Sequence, residues 1–388
     1  MRTVDTADVA VVGAGPAGCW AACCLAGAGA RVALVDGSHP REKPCGGGVT
    51  GRALALVSDA IDAPRLPCCR IRSARFADSL RGRSVAIPLD DDALVVASRA
   101  EFDGRLLAAA RQAGATIVSS RALDVTRNAR GFLIHTSAGA VVSRLVIGAD
   151  GANSLVRRRL ARPFARADLS IATGYFVHGA TSDEVIVELF ADPPGYVWSF
   201  PRPGHLAVGI CAQADAGVAS GALRARAETW IRQMALAPGA RLEPYSWPIP
   251  SLSAAGFGSL TTSGPGWFLA GDAAGLVDPI TREGIYFALL SGEWAAQAAA
   301  SSGRAPHARY RERIHDEIAA DLARAARYRA GFFRPRFTRL LIDALGESAG
   351  VRAVMADLVA GRQAYSTLKW SLARTFEVGL AWRLMTST

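Results

Sequence analysis

Lysine, metal-binding spacings and long hydrophobic runs are scarce in this sequence of 388 residues. Lys43 and Lys369 are the only lysines, so arginine carries nearly all of the positive charge. After the first thirty-six residues, no stretch of 18 uncharged apolar residues is available to span a bilayer. The seven cysteines and six histidines show no zinc spacing, and an odd number of cysteines argues against a disulfide framework. We therefore expect no metal site and a reduced, cytoplasmic setting.

The positive charge is not accompanied by a nucleic-acid-binding motif. The net charge is +10, and residues 304–388 contain 15 Lys+Arg against 8 Asp+Glu, which is +7 of that total. A basic end of this kind suits an acidic substrate, an anionic membrane surface or a solvated helical face. Because no motif for base recognition is present, we expect no nucleic acid partner. Asp5 and Asp8 precede the first apolar run, so no signal peptide is predicted.

The first thirty-six residues carry the pattern around which the chain is organised. An apolar strand (Val9–Val12) leads into a glycine-rich turn, an apolar helix over Cys19–Ala28 and a second strand that ends at Asp36. This is the β-α-β fingerprint of a site for NAD, NADP or FAD, with the pyrophosphate at the helix N-terminus and Asp36 accepting hydrogen bonds from the ribose. The turn residues predicted to contact the cofactor are Gly13, Gly15, Pro16, Ala17 and Gly18.

Two later turns place acidic residues at the ends of apolar strands. Residues 145–147 run into Gly-Ala-Asp-Gly at 148–151, and residues 267–270 run into Gly-Asp at 271–272. We expect both turns at the carboxyl edge of one parallel sheet, where α/β folds bind their ligands. Taken alone, Asp150 and Asp272 are explained equally well as helix-capping carboxylates.

The order of predicted strands and helices indicates an α/β fold (α+β overall). We predict a Rossmann-type nucleotide-binding domain with an inserted antiparallel-sheet substrate domain and a helical C-terminal region. Half of the residues are hydrophobic, so the chain can bury a sizeable core. The predicted boundaries are residues 1–62, 98–161 and 256–303 for the first domain, residues 63–97 and 162–255 for the second, and residues 304–388 for the helical region.

Aromatic residues alternate along one predicted strand of the substrate domain. Tyr196, Trp198 and Phe200 lie two residues apart, so all three share a face, either as a wall for an apolar ligand or as ordinary sheet core. Earlier in the chain, residues 46–48 are consecutive glycines, which are useful where a ligand or backbone comes very close. The preceding Cys45 is either an active-site thiol or a buried structural cysteine.

The three spaced turns together resemble the FAD-dependent oxidoreductases of the p-hydroxybenzoate hydroxylase-like superfamily. Within that superfamily, four further stretches are similar to motifs of the geranylgeranyl reductase family. They are residues 44–48 (Pro-Cys-Gly-Gly-Gly), 195–201 (Gly-Tyr-Val-Trp-Ser-Phe-Pro), 276–285 and 361–365 (Gly-Arg-Gln-Ala-Tyr). The resemblance spans the whole chain, and the cysteine-glycine and aromatic motifs are fairly specific together.

This resemblance implies FAD as the cofactor. Asp272 would bind a ribityl hydroxyl, Arg99 would lie near the pyrophosphate or ribityl chain, and residues 276–285 would form the loop at the flavin edge. The other cofactor contacts that we predict are Arg41, Cys45, Gly46, Gly47, Asp150, Gly271, Pro279, Gly284 and Ile285. The predicted catalytic residues are Cys45, Tyr196, Trp198, Phe200, Arg282 and Glu283. Cys45 would deliver a proton or protect the flavin, and Glu283 would cap the helix after Pro279.

The implied reaction is the reduction of an isoprenoid carbon–carbon double bond. An unactivated alkene must be pressed against the flavin in a dry cavity, for which the aromatic wall is suited. No second dinucleotide fingerprint is present, so NAD(P)H is expected to bind transiently, and a ferredoxin-like protein is the alternative electron donor. We expect an apolar or prenylated small molecule as substrate. The basic C-terminal helices either cover its cavity or contact the inner face of the membrane.

Arg282 departs from the pattern of the family, which commonly has glycine there. A fixed positive charge beside the flavin edge would stabilise an anionic reduced flavin or bind an acidic substrate. It leaves open a flavin monooxygenase acting on an aromatic or protein-bound substrate, and a non-catalytic flavoprotein or lipid-binding accessory protein is a third reading. Halogenation is not expected. The halogenase branch has Trp-x-Trp-x-Ile-Pro and a catalytic lysine, whereas this chain has Tyr-Val-Trp-Ser-Phe-Pro at 196–201 and only two lysines.

Overall fold

In the computed structural model, residues 4–129, 131–236 and 239–375 are described, and they form two large sheets, a small sheet and several layers of helices. The strands are β1 (Val4–Val12), β2 (Val32–Val35), β3 (Gly48–Thr50), β4 (Cys68–Arg70), β5 (Ser73–Asp78), β6 (Arg83–Pro88), β7 (Leu94–Ala97), β8 (Thr116–Val118), β9 (Ala122–Asn128), β10 (Gly131–Thr136), β11 (Ala140–Gly148), β12 (Leu169–His178), β13 (Glu184–Ala191), β14 (Pro194–Arg202), β15 (His205–Gln213), β16 (Arg241–Pro250), β17 (Ser263–Gly264) and β18 (Trp267–Leu269).

The α-helices lie between these strands and, after β18, make up the rest of the described chain. They are α1 (Pro16–Gly27), α2 (Gly51–Ile61), α3 (Arg99–Gln112), α4 (Leu155–Leu160), α5 (Ser220–Gln233), α6 (Ala254–Gly258), α7 (Ile285–Ala300), α8 (Pro306–Ile314), α9 (Ala320–Phe332), α10 (Pro335–Glu347), α11 (Ala349–Val359) and α12 (Leu368–Ala373).

The first large sheet is parallel in its centre, with the strand order β18–β11–β1–β2–β8. An antiparallel meander of β9 and β10 extends from β11. The register aligns the strand ends, because Val12 pairs with both Val35 and Gly148, and Gly148 pairs with Leu269. The glycine-rich turn, Asp36 and the two later acidic turns therefore all begin at one carboxyl edge, as the sequence predicts.

Small residues let helix α1 pack closely between its neighbours α3 and α7. Cys19 and Ala22 are fully buried, and a side chain at Gly292 of α7 would overlap the carbonyl oxygen of Ala17. Cys19 thus serves as a small apolar core residue, and all seven cysteines are free thiols. The close packing fixes the first turn of α1 at the sheet edge.

The second large sheet has the order β16–β12–β15–β14–β13–β5–β6 and is antiparallel except where β13 runs parallel to β5. It joins strands from both segments predicted for the substrate domain, and we propose that division as the domain boundary. The sequence does not predict β16, which contains Pro244, Pro248 and Pro250. A strand lacking these N–H donors is tolerated at the edge of a sheet, which is where β16 lies.

Helices α9, α10 and α11 pack over one side of the second sheet. Phe333, just after α9, stacks on Tyr196 with ring centroids 6.4 Å apart, and both side chains are buried. The C-terminal region therefore covers the substrate sheet, and its residues 376–388 lie outside the described part. No helix in the described part of the chain is long and apolar enough to cross a membrane.

The helix predicted directly after Pro279 begins at Ile285 instead. The Asp278 carboxylate accepts hydrogen bonds from the N–H groups of Ile280 (2.7 Å) and Thr281 (2.9 Å). Arg282 follows with φ of 61°, a left-handed conformation. The bonds from Ile280 and Thr281 to Asp278 resemble a helix N-cap, but a left-handed residue cannot continue a helix. The Asp278 N–H also donates to the Glu283 carbonyl oxygen at 3.0 Å, so residues 278–284 form a loop at the sheet edge rather than the first turn of α7.

Candidate active site

The glycine-rich turn holds each of its three glycines for a different reason. Gly13 has φ of 101°, and a side chain there would overlap the Ala149 carbonyl. A side chain at Gly18 would overlap the carbonyl oxygen of Gly13, so Gly18 is needed for packing within the protein. At Gly15 the nearest protein atom to an added Cβ is His39 Nε2, 4.0 Å away. Space at Gly15 is thus kept open toward the cavity.

Asp36 is held by a network of donors from its own loop. Its Oδ2 accepts from Ala14 N (2.9 Å) and His39 Nδ1 (2.9 Å), and its Oδ1 accepts from Ser38 N (2.6 Å) and His39 N (3.0 Å). Burial raises the pKa of Asp36, but His39 and these N–H donors outweigh it and hold the pKa well below its usual range. Asp36 is therefore a fixed anion at the edge of the sheet.

The two later acidic turns differ in what their carboxylates contact. Asp150 accepts from the N–H groups of Leu155 (2.6 Å) and Val156 (3.2 Å) and so caps α4. Its role in cofactor binding stays a prediction. Asp272 lies beside Lys43, whose Nζ is 3.1 Å from Asp272 Oδ2. This pair brings a cation from the glycine loop to the turn before α7.

The glycines at 46–48 are explained largely by the protein itself. A Cβ at Gly46 would lie 2.9 Å from the Phe200 ring, and one at Gly48 would lie 3.1 Å from it. Gly47 has φ of 86°, and a Cβ there would lie 2.8 Å from Arg202 Nε. The loop therefore lies flat on the end of β14, which places the neighbouring Cys45 beside the cavity.

Arg202 fastens that loop, although the sequence does not single it out. Its guanidinium is fully buried, forms an ion pair with Glu42, and donates to the carbonyl oxygens of Gly46 (3.1 Å) and Cys45 (2.6 Å). Glu42 also accepts from the Ser98 hydroxyl at the start of α3. The sequence does contain an indication of this role, because Arg202 follows Tyr196, Trp198 and Phe200 at the same two-residue spacing along β14.

Cys45 lies among three cations. Its Sγ is 3.5 Å from Arg99 Nη1 and 3.6 Å from Arg202 Nη2, and Lys43 is two residues away. Burial raises the pKa of Cys45, but the charges of Arg99, Arg202 and Lys43 outweigh it, and the net pKa lies below its usual value. Arg99 is itself fixed by a two-point ion pair with Asp103 at 2.9 and 2.7 Å.

The aromatic residues of β14 line a cavity of about 880 Å³. Tyr196, Trp198 and Phe200 all face it, as their spacing predicts. The same cavity reaches the glycine-rich turn at one end, and Phe332 of α9 and Met355 of α11 line it at the other. Nucleotide-binding motifs and aromatic wall thus share one continuous space, which the C-terminal helices also line.

The loop after Asp272 is fixed from three sides. The Glu283 carboxylate accepts from Thr50 Oγ1 (2.7 Å) and forms an ion pair with Arg52, so it does not cap α7 as expected. The Tyr365 hydroxyl donates to Asp278 at 2.9 Å. Tyr365, the last residue of the motif at 361–365, therefore helps to hold the loop in place.

The structure brings nearly all of the predicted site residues together. All of them line the one cavity except Gly18, Gly271 and Pro279, which lie behind it. Gly271 has φ of 57° and donates its N–H to Ser291, and Pro279 is buried. Sequence reasoning missed Glu42, Lys43 and Arg202 as parts of the site.

The sequence of this chain is similar to those of known proteins over most of its length. A family model described as an FAD binding domain matches residues 6–177. The chain is 33% identical over 324 residues to the menaquinone reductase of Mycolicibacterium smegmatis, covering 76% of this chain and 77% of that protein. It is 32% identical over 308 residues to the geranylgeranyl diphosphate reductase of Rhodobacter capsulatus, covering 75% and 74%. The chain belongs to the geranylgeranyl reductase family of FAD-dependent oxidoreductases.

Solved structures agree with the fold of this geranylgeranyl reductase family member. A geranylgeranyl bacteriochlorophyll reductase-like protein from Thermoplasma acidophilum aligns with a TM-score of 0.81 at 24% identity, covering 96% of this chain and all of that one. A flavin-dependent brominase aligns with a TM-score of 0.69 at 19% identity, covering 95% and 98%. The predicted fold class and the predicted FAD cofactor are confirmed.

The site of this family member fits FAD. No side chain caps α1, so its first N–H groups remain available to a pyrophosphate. Gly15 leaves room for a close approach, and the Asp36 carboxylate lies in the lining of the same cavity. Its contact with the ribose stays a prediction. The cations Arg41, Lys43 and Arg99 line the same cavity and complement a diphosphate.

The cations around Cys45 give a testable prediction. We expect the alkylation rate of Cys45 to rise with pH at a midpoint below that of Cys23, because burial raises the pKa of Cys23. Peptide mass spectrometry after timed iodoacetamide treatment measures both sites in one sample. Replacing Arg202 with methionine should move the Cys45 midpoint upward. Equal midpoints, or no response to Arg202→Met, would contradict this account of the thiol.

Proposed function

We propose that this protein is an FAD-dependent reductase that saturates carbon–carbon double bonds in a prenyl chain. The observation that carries the proposal is the single cavity that joins the FAD motifs to the aromatic wall of β14. Relatives named as reductases of geranylgeranyl diphosphate and of digeranylgeranylglycerophospholipid support it. Neither a monooxygenase nor a non-catalytic flavoprotein is favoured by a feature of this site.

The cavity suits a prenyl chain because its walls are mainly apolar. Val187 of β13 pairs with Trp198 of β14, and both line the cavity. Phe332 and Met355 close the side away from the sheet. We propose that these walls hold a flexible alkene beside the cofactor and displace water from it, because an unactivated double bond needs both close positioning and a dry site. FAD, when bound, supplies the hydride chemistry.

Reduction of a double bond adds a hydride to one carbon and a proton to the other. We assign the donation of this proton to the Cys45 thiol. Arg99 and Arg202 stabilise the thiolate that remains after proton release, because both lie within 3.6 Å of the sulfur. The flat glycine loop keeps this sulfur at the cavity surface, where Cys45 is half-buried. In the loop of residues 278–284, Thr50 and Arg52 hold the Glu283 carboxylate in place, and Glu283 adds a negative charge there.

The remaining partners are part of the proposal. The reductant is NAD(P)H bound transiently, or an electron-donor protein, and peripheral contact with a membrane is the route to a lipid substrate. The exposed side chain of Trp370, which is 73% accessible, supports such a contact, whereas Phe332 and Phe333 face the interior.

Anaerobic turnover tests the proposed function directly. We expect FAD-loaded protein, reduced by dithionite or NAD(P)H, to add two hydrogen atoms to each reduced double bond of a geranylgeranyl lipid, measured by mass spectrometry. Val187→Trp should abolish this turnover by filling the cavity, with flavin content unchanged, while Val187→Ala should retain it. Unchanged lipid mass across a panel of prenyl substrates would overturn the proposal. Substrate-dependent oxygen uptake would support the monooxygenase instead.

A further inference from the structure

Arg282 points to a second kind of recognition within the cavity. Its side chain lines the cavity, and its backbone is held at φ of 61°, a conformation that a non-glycine residue rarely adopts. Backbone strain of this type persists where the surrounding structure fixes a residue for a task. The surrounding bonds show what fixes Arg282.

Two buried serines hold the Arg282 guanidinium. Its Nη1 donates to Ser251 Oγ at 2.7 Å and its Nη2 donates to Ser170 Oγ at 3.0 Å, and both serines are fully buried. Each serine in turn donates its hydroxyl proton to Gln213 Oε1, at 2.9 and 3.1 Å. The Gln213 carbonyl thus orients both hydroxyls so that their lone pairs face the arginine.

This frame leaves most of the guanidinium unused. An arginine has five N–H donors; the serines take two of them, and the Cys211 thiol lies within reach of the same guanidinium. The Nε–H is buried and has no hydrogen-bond partner in the described part of the chain. A buried donor on a charged group is unfavourable unless an acceptor completes it. The partly exposed Arg282 guanidinium is therefore a cation with unused donors at the cavity.

A second arginine strengthens the positive charge at this point. Arg329 of α9 donates to the same Ser251, through both its hydroxyl and its carbonyl oxygen (3.1 Å). Burial together with the charge of Arg282 lowers the pKa of Arg329 to about 10. Within residues 4–129, 131–236 and 239–375, neither guanidinium has an ion pair with a carboxylate. The nearby Asp278 is engaged by Ile280, Thr281 and Tyr365.

We propose that Arg282, backed by Arg329, binds an anionic head group of the substrate, a carboxylate or a phosphate. The proposal rests on the proposed function and adds where the head group lies. Tyr196 is part of the apolar wall. Burial raises the pKa values of Tyr196 and the neighbouring Cys211, and the positive charge of Arg282 acts in the opposite direction on both. An amphiphile would therefore lay its chain along β14 and its acidic end at the serine frame.

Binding measurements without turnover test this assignment. The FAD-loaded, oxidised protein is titrated by calorimetry with a prenyl alcohol, the prenyl carboxylic acid and the prenyl diphosphate of one chain length. The acid and the diphosphate should bind about 10- to 100-fold more tightly than the alcohol, since a hydrogen bond to a charged group is worth that much. The relative affinities of the two anions distinguish a carboxylate from a phosphate as the natural group.

Substitutions then show which residue gives the preference for anionic ligands over the alcohol. Arg282→Gln should remove the preference for the anions, Arg282→Lys should keep part of it as a point charge, and the exposed Arg304→Gln should change nothing. If Arg282→Gln loses its flavin, Arg329→Gln carries the test, with a reduced preference expected. Equal binding of alcohol and acid by the wild type, or a preference that survives both substitutions, would overturn the inference alone. Failure of every prenyl ligand to bind and to be reduced would overturn the proposed function with it.

Discussion

Replacing Gly15 with valine is expected to weaken FAD binding by about 10- to 100-fold, because filling a closely packed site costs about 1–3 kcal/mol. The protein itself leaves this position open, since an added Cβ meets no atom closer than His39 Nε2 at 4.0 Å. We predict that the FAD pyrophosphate occupies this space, which a valine side chain would enter. Flavin absorbance after gel filtration and titration of the apoprotein with FAD measure the loss.

Two other glycines serve as controls for that substitution. Gly27, at the end of the same helix, has no atom within 4 Å of an added Cβ, so Gly27→Ala should leave FAD affinity and stability unchanged or slightly improved. Gly18→Ala should lower the yield of folded protein, because its side chain overlaps the carbonyl oxygen of Gly13. Normal FAD affinity in Gly15→Val would show that the pyrophosphate does not pass this turn.

The cofactor-binding end of this fold can be predicted from the sequence because the motifs that mark it are short and local. A strand, a glycine-rich turn, a helix and Asp36 follow one another within thirty-six residues, and each obeys a short-range rule. The alternation of Tyr196, Trp198 and Phe200 is equally local and correctly predicts a shared face. By contrast, strand β16 breaks its local rule through three prolines and exists because β12 offers it an edge.

The parts of the site that the sequence does not reveal depend on contacts between distant segments. The glycines at 46–48 indicate a close approach, but only the fold shows that Phe200 and Arg202 approach them. The helix expected after Pro279 starts later because Arg282 is left-handed, in a loop that the distant Tyr365 holds through its bond to Asp278. Sequence spacing cannot supply either partner, since the paired residues are about 80 to 160 positions apart.

Arg202→Met is expected to lower the free energy of unfolding by about 3 kcal/mol, the lower end of the range for breaking a buried ion pair. The lower end applies because the Glu42 side chain is 32% exposed and part of its charge is solvated. Methionine preserves the length and apolar contacts of the stem, so the loss reports the charge and the bonds to Cys45 and Gly46. Urea denaturation of the FAD-free protein measures it.

A double substitution separates the ion pair from simple packing. If Glu42 is unfavourable once Arg202 is gone, Glu42→Gln should recover part of the stability in the Arg202→Met background while lowering it in the wild type. The exposed Arg304→Met should stay within about 0.5 kcal/mol of the wild type. Strictly additive effects of the two substitutions would mean that Arg202 acts through the loop carbonyls alone. Because the same guanidinium stabilises the Cys45 thiolate, coupling between Arg202 and Glu42 would tie the stability of the loop to the reactivity of its thiol.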